Sequence, residues 1–230
     1  MKKNMLAAGA LLGSALVLSG CGVGPLATQQ TAVSYDVADE VLVLSVDAEA
    51  GDIVVNESGR SGIGVTETLH WSNDKPKTEH SVDGGTLTLK YTCPSGFSLG
   101  SCSVDYKVEI PKGVRVRVET GAGDITLRSL TGEVEAGSGA GDIEAGGLAA
   151  KTFTADTGAG DVEAEFTAAP DRVDVETGAG DATVRLPKGP YRVDLGSGAG
   201  DETIQVEQDP SATRTVKVSS GAGDAKVLPV

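Results

Sequence analysis

Six aspartates end identical Gly-Ala-Gly-Asp tetrapeptides that recur through the second half of the chain. The intervals between them are 18, 19, 20, 20 and 23 residues. The six are Asp124, Asp142, Asp161, Asp181, Asp201 and Asp224, and a degenerate Glu-Ala-Gly-Asp copy ends at Asp52. Carboxylate oxygens are hard ligands that suit Ca²⁺, and calcium-binding β-rolls use Gly-rich turns that end in Asp. A row of calcium sites is therefore one hypothesis for these residues.

The other explanation is that the tetrapeptide stabilises a backbone turn, and the sequence favours this explanation. An Asp carboxylate can accept hydrogen bonds from the backbone N–H groups of its own turn, while glycine supplies positive φ values. Calcium β-rolls repeat about every nine residues, whereas one Asp in about 20 residues supplies few oxygens. A hydroxyl residue four positions before each Asp fits a turn equally well, at Thr120, Ser138, Thr157, Thr177, Ser197 and Ser220. No cofactor is predicted, and Ca²⁺ is the one candidate.

Catalytic chemistry finds little support in the sequence. Gly-Ala-Gly-Asp begins like a dinucleotide-binding fingerprint, but the third glycine is missing and no helical pattern follows. The sequence contains no nucleophile elbow and no zinc motif, and His70 and His80 have no ligand partner at metal-binding spacing. We therefore expect that the protein is not an enzyme.

The residues around each tetrapeptide alternate as half-buried strands do. In all seven copies the residues eight and six before the Asp are apolar, and the residue between them is Ser, Thr or charged. Three residues after the Asp the side chain is again apolar, which places a second strand beyond the turn. The position directly after the Asp is mostly apolar, but Glu202 departs from this pattern.

The repeat length decides between two all-β architectures. A period of about 20 residues indicates stacked units, and we predict a β-solenoid of about seven coils with one Gly-Ala-Gly-Asp turn in each. The alternative is a β-sandwich or meander in which the tetrapeptides form hairpin tips. The near-constant period and the identical turns favour the solenoid.

Residues 57–113 interrupt the repeats. The segment has strand-like runs at residues 86–91 and 104–110 and contains the only tryptophan, so we expect a folded but irregular insert or cap. Cys93 and Cys102 lie in this segment, and export to an oxidising compartment predicts a disulfide between them.

The N-terminus has the features of a bacterial lipoprotein leader. Residues 1–20 carry Lys2 and Lys3 before a short apolar run, as a signal peptide does. The run ends in Leu-Ser-Gly-Cys, which resembles a lipobox and predicts acylation, including palmitate, at Cys21. Residues 21–36 are rich in Gly, Ala, Thr and Gln, and we predict that they form a flexible tether to a β-repeat domain over residues 37–230.

Net charge limits the partners that the mature chain can have. Loss of the two leader lysines changes the net charge from −14 to −16. Nucleic acid and an anionic bilayer would repel such a chain, so the membrane contact is expected through the lipid anchor alone. Cations, glycans and proteins of the envelope remain candidate ligands. The Gly-, Ala- and Asp-rich composition points to a Gram-positive host, with the domain on the outer face of its membrane.

The run from Tyr106 through Pro111 to Asp124, followed by repeated Val-x-Val-x-Thr/Ser-Gly-x-Gly-Asp units, resembles the putative adhesin family of bacterial β-strand-repeat domains. The resemblance covers roughly residues 37–230. It implies a β-solenoid on an exported or membrane-anchored protein, and it supplies no catalytic residues to transfer.

These observations lead to three functional hypotheses. The first is a lipid-anchored, adhesin-like surface protein that acts as a non-catalytic binding or structural module. The second is an accessory or sensor protein of envelope homeostasis that contacts a membrane protein through residues 57–113. The third is a surface repeat protein that calcium stabilises.

Overall fold

The computed structural model describes residues 28–94 and 101–230, and its regular structure is entirely β. Within these residues, nineteen strands form two sheets. The predicted leader, Cys21 and the first residues of the predicted tether lie outside the described residues.

The sheet that we call the front sheet has nine strands, most of which precede a Gly-Ala-Gly-Asp turn. In spatial order they are β16 (Arg192–Ser197), β18 (Thr215–Ala222), β14 (Arg172–Ala179), β12 (Thr152–Ala159), β10 (Val134–Ala140), β8 (Arg115–Thr120), β2 (Val43–Ala48), β6 (Thr86–Thr92) and β5 (Lys77–Asp83).

The back sheet has ten strands, most of which follow such a turn. In spatial order they are β1 (Gln29–Val37), β4 (Ile63–Trp71), β7 (Cys102–Ile110), β3 (Ile53–Glu57), β9 (Ile125–Arg128), β11 (Ile143–Leu148), β13 (Val162–Phe166), β15 (Ala182–Leu186), β19 (Ala225–Pro229) and β17 (Glu202–Ile204).

Each repeat forms one coil, with a front strand, a turn and a back strand, so the predicted solenoid is confirmed. Neighbouring coils pair in parallel without a shift in the front sheet, and Val134 lies between Val116 and Phe153. The predicted apolar positions consequently form ladders between the sheets, and those of the interior coils are almost fully buried. Phe153 and Phe166 meet edge to face in the middle of this narrow core.

The coils do not stack in chain order at either end. β18 and β19, the last coil of the chain, lie between the coil β14–β15 and the coil β16–β17. At the opposite end β6 and β7 form an eighth coil, which lacks the tetrapeptide and lies outside β2 and β3. The expectation of about seven coils therefore accounts for every coil with a tetrapeptide and omits one.

This order explains the exception at Glu202. In interior coils the residue after the turn Asp is buried, as at Ile143 and Val162. Glu202 belongs to the outermost coil, where no further coil covers it, and it is exposed. A charged residue is tolerated there because its carboxylate remains in contact with solvent.

Three antiparallel strands cap the end of the stack beside β6 and β7. β4 pairs with β7, β1 pairs with β4, and β5 pairs with β6. The described residues of this segment therefore form regular strands, and β4 and β5 cap the stack together with β1. The predicted disulfide is present, with Cys93 after β6 joined to Cys102 at the start of β7.

The prediction of a flexible tether was wrong from Gln29 onward. All nine residues of β1 pair with β4, and the buried Val37 joins the core. The alternation of Val33, Tyr35 and Val37 is short and lies in a polar stretch, so it gave little indication of a strand. Arg60 strengthens the attachment, because its guanidinium pairs with Asp36 of β1 and with Glu109 of β7.

Candidate functional site

The turn aspartates form a continuous ladder along one edge of the solenoid. The Oδ1 atom of every Asp in the ladder except the last, Asp201, accepts a hydrogen bond from the backbone N–H of the Asp in the next coil. For Asp124, for example, the acceptor bond to the N–H of Asp142 is 2.9 Å long. Counted from the cap, the ladder runs through Asp105, Asp52, Asp124, Asp142, Asp161, Asp181, Asp224 and Asp201, with N···O distances of 2.7–3.1 Å. Turn chemistry is therefore present, but it joins neighbouring coils rather than closing each turn on itself.

The two ends of the ladder differ. At the cap, Asp105 accepts from the N–H of Asp52, and its other carboxylate oxygen lies 2.9 Å from Nε2 of His70. At the opposite end, Asp201 donates its N–H to Asp224, and no further coil follows. Asp105 was not foreseen, because the sequence around it lacks the tetrapeptide.

The glycines of each turn allow the coils to approach one another. A Cβ atom on Gly160 would lie 2.2 Å from the carbonyl oxygen of Gly141 in the next coil. The φ of Gly160 is 147°, a conformation that other residues rarely adopt. The repeated glycines are thus explained by backbone packing between coils.

The hydroxyl residues before the turns form a second ladder. Thr177 is 1% exposed, and its Oγ1 donates a 2.8 Å hydrogen bond to the carbonyl oxygen of Gly160 in the neighbouring coil. The equivalent hydroxyls donate in the same way, at Thr120, Ser138, Thr157, Ser197 and Ser220. These bonds satisfy carbonyl groups that the turn geometry leaves without a strand partner.

One lysine adds to the compensation of the acidic edge. Nζ of Lys226 lies 2.8 Å from Asp224 and 3.3 Å from Asp181. The N–H of Asp201, and next Lys226, hold the pKa of Asp224 below its usual value. Among residues 28–94 and 101–230, no group of three His, Cys, Asp or Glu side chains is placed to hold a metal ion.

The outer surface of the front sheet, which we call the front face, carries most of the other organised charge. Arg117 makes a bidentate contact with Glu135 of the next coil, at 2.8 and 3.0 Å. Lys217 of β18 contacts Asp174 of the adjacent β14, at 3.4 Å. Three shallow grooves of about 460, 490 and 560 Å³ lie between these side chains. The front face is therefore a flat, polar surface. The row that contains Arg117 and Lys217 carries both charges, whereas the row through Glu119, Asp156 and Glu176 is acidic.

Asp156 lies in an unfavourable electrostatic environment on the front face. Partial desolvation, and next repulsion from Glu176 and Glu135, raises the pKa of its carboxyl group, although Asp156 remains exposed. Lys217 pairs with Asp174 and Glu176, and no described basic side chain pairs with Asp156. An ion or a basic group of a ligand would lower the repulsion at this point.

The cap concentrates the aromatic residues of a chain that has few of them. Tyr35 stacks on His80, with ring centroids 4.5 Å apart, and donates a 2.7 Å hydrogen bond to Glu67. Glu67 is 1% exposed, and burial raises the pKa of Tyr35 and of Tyr106. Tyr106 lies beside Glu67 in the sheet, and its hydroxyl is buried without a hydrogen-bond partner among the described residues.

Comparison with known proteins places the repeats in a family. The family model described as Toastrack DUF4097 matches residues 42–227, which is most of the chain. The chain belongs to the Toastrack family. The matched range begins just before β2 and ends in β19, so the match covers all eight coils of this Toastrack chain.

A solved structure with a related fold exists. A putative cell adhesion protein from Clostridium sporogenes ATCC 15579 is 14% identical to this Toastrack chain, with a TM-score of 0.51 over 88% of this chain and 100% of that one. A putative adhesin from Bacteroides fragilis NCTC 9343 is 15% identical, with a TM-score of 0.37 over 87% of this chain and 97% of that one. No curated protein matches the sequence. No helix among the described residues is long and apolar enough to cross a membrane.

Proposed function

We propose that this Toastrack domain is a non-catalytic binding or structural module, anchored by lipid at Cys21 to the outer face of a bacterial membrane. The front face supports the binding role, because it offers a flat surface of paired charges and shallow grooves that runs across several coils. Such a surface suits an extended or flat ligand better than a small molecule, which needs an enclosed pocket. The ligand is then a glycan or a protein of the envelope or of a host.

The anchor has a direct test. Cys21→Ser removes the residue that is acylated in this proposal, so the chain should no longer incorporate labelled palmitate and should not fractionate with membranes. The matched control is Ser19→Ala, which keeps the cysteine and a small residue before it. Equal palmitate incorporation in the Cys21→Ser chain would contradict acylation at this position.

The front face can be tested by charge removal. The double variant Arg117→Ala and Lys217→Ala should lower binding of the labelled chain to isolated cell-envelope fragments at least fivefold. Arg185→Ala on the back sheet, which also removes an ion-paired arginine, is the control and should bind normally. Protease treatment of the fragments separates a protein ligand from a glycan. Unchanged binding by the double variant would exclude the front face.

The cap supports a second candidate, an accessory or sensor protein that meets a membrane protein. Trp71 is only partly buried, Nζ of Lys75 lies 5.5 Å from its ring, and the disulfide fixes the adjoining strands. Partly exposed Trp residues often anchor protein interfaces. If Trp71→Ala abolishes binding to the same fragments while the front-face variant binds normally, the cap is the interaction surface.

A further inference from the structure

The two ends of the solenoid are not equivalent. At one end the antiparallel strands β1, β4 and β5 follow the last coil and β1 and β5 form the edges, whereas at the other end the coil β16–β17 itself forms both edges. The inward-facing Val193, Leu195 and Ile204 of this terminal coil are half-buried. The equivalent Val173 and Val175 of an interior coil are at most 1% exposed. The terminal coil thus leaves part of the apolar core open to solvent.

The free hydrogen-bonding groups at this end are few and well defined. Arg192 and Gly198 donate their N–H groups toward β18, so the alternate residues Val193 and Leu195 direct theirs away from the stack. In the back sheet the N–H of Gln205 donates to Val227 of β19. The N–H of Ile204 therefore points away from the stack, although its side chain faces inward. Unpaired edge groups of this kind are a template for another strand.

Two local features limit where a strand can add to β16. Tyr191 already exchanges backbone hydrogen bonds with Glu207 and Asp209 on its outer side, so no strand can pair there. The carboxylate of Glu202 accepts the N–H of Ser197 and occupies the other end of the edge. The free stretch is centred on Val193 and Leu195.

We propose that this open end binds the open end of a second copy of the chain. Both sheets end here, so a suitable partner must continue two sheets that lie about 10 Å apart and also cover the apolar residues between them. A second copy does this under a two-fold axis normal to the sheets, which brings β16 beside β16 and β17 beside β17 in antiparallel pairs. A single added strand would cover only one of the two edges.

The register follows from the blocked position at Tyr191. A two-fold axis through Leu195 pairs Leu195 with its own equivalent. The N–H of Val193 then donates to the carbonyl oxygen of Ser197 in the second copy, while the N–H of Ser197 stays bonded to Glu202. The paired segment ends before Tyr191. In this register Asp194 faces Gly196 of the second copy, so like charges are not opposed. A strand of six residues is about 20 Å long, and the two sheets with their side chains make the end face about equally wide. Each copy therefore buries roughly 400 Å², an area typical of weak interfaces.

Cross-linking of the complete chain in the membranes of producing cells tests the geometry. Leu195→Cys places two thiols on the axis, where antiparallel hydrogen-bonded residues are about 5.5 Å apart and a disulfide can form. We expect a reducible dimer band for this variant. The control is Val82→Cys, at a half-buried apolar position of β5, the edge strand at the capped end of the same sheet. No dimer band for Leu195→Cys, or equal bands for both variants, would overturn the proposal.

A second variant tests the edge itself. Val193→Pro removes an N–H that faces away from the stack, so it costs no hydrogen bond within the chain. In sedimentation of the detergent-solubilised chain we expect dimerisation of the unsubstituted chain at micromolar or higher concentration. The Val193→Pro chain should dimerise at least tenfold more weakly, and Arg192→Ala should resemble the unsubstituted chain. A chain that stays monomeric throughout, or a dimer that Val193→Pro leaves unchanged, would refute the proposal.

Discussion

At the residue scale, the turn aspartate acts through its oxygen rather than its charge. Neighbouring carboxylates about 4.8 Å apart repel by about 0.9 kcal/mol even in water, before salt screens them. Every one except Asp201 accepts a backbone N–H from the next coil, and this bond offsets the repulsion. The consequence is that an uncharged acceptor should serve as well as a carboxylate at an interior position.

Paired substitutions separate the oxygen from the charge. Asp142→Asn keeps an acceptor for the N–H of Asp161, and Asp142→Ala removes it. We expect the Asn chain to be more stable than the Ala chain by about 1 kcal/mol, the net value of one hydrogen bond. At Asp201, whose carboxylate faces no further coil, Asn and Ala should be equivalent. Urea unfolding of the four variants measures both differences, and a similar gap at both positions would contradict the ladder.

We expect the effect of Asp156 on stability to vary with pH in the opposite direction to that of a carboxylate in an ion pair. Its raised pKa means that the folded chain binds this proton more tightly than the unfolded chain does. The ionised group therefore opposes folding at pH 7, and the opposition disappears as the pH falls through the raised pKa toward the unfolded value of about 3.9. Asp156→Asn should raise the urea midpoint at pH 7 and leave it unchanged near pH 3.5. A lower midpoint at pH 7 would show that Asp156 has a stabilising partner.

At the element scale, glycine spacing sets the distance between coils. Gly160→Ala would force a Cβ to within 2.2 Å of the Gly141 carbonyl oxygen, at a φ that alanine rarely adopts. We expect a loss of at least about 2 kcal/mol, because the strained backbone alone costs 1–3 kcal/mol. Gly146→Ala in β11 is the matched control, since a Cβ there meets nothing within 4 Å, and it should change stability by less than about 0.5 kcal/mol. A similar loss of stability in both variants would show that the turns can rearrange to accommodate a Cβ atom.

Elements with a repeated pattern could be predicted from the sequence, whereas their order in space could not. Alternating apolar residues located the paired strands of every coil that has a tetrapeptide, because burial between two sheets imposes a period of two. The insertion of β18 was invisible, since Thr215 pairs in the same register with Arg172 on one side and Arg192 on the other. Identical coils can exchange places at almost no cost in pairing, and only Glu202 marked the outermost one.

The ladder residues were only partly predictable for a related reason. The Asp and hydroxyl positions were evident from repetition, but their hydrogen bonds run between coils, and sequence spacing says nothing about a neighbour in the stack. Asp105 and His70 escaped notice because the eighth coil has no tetrapeptide. β1 escaped notice because only three of its nine residues are large and apolar.

At the scale of the whole molecule, the order of the coils can be tested by cross-linking within one chain. Glu176 of β14 is the register partner of Ser219 in β18, whereas Gly196 of β16 lies one coil farther away. Cysteines at 176 and 219 should form a disulfide, because adjacent coils are about 4.8 Å apart. Cysteines at 176 and 196 should not, because two coil spacings exceed the 7 Å that a disulfide can bridge. The reverse result would show that the coils stack in chain order.

The central claim is that the aspartate row holds the coils together through backbone hydrogen bonds and needs no cation. Thermal unfolding of the whole chain, followed by circular dichroism of the β-sheets, tests it most directly. The midpoint should be the same in EDTA and in millimolar Ca²⁺, with Mg²⁺ at equal ionic strength as the control for charge screening. A midpoint that Ca²⁺ raises by many degrees and Mg²⁺ does not would show that the row is a calcium site and contradict this account.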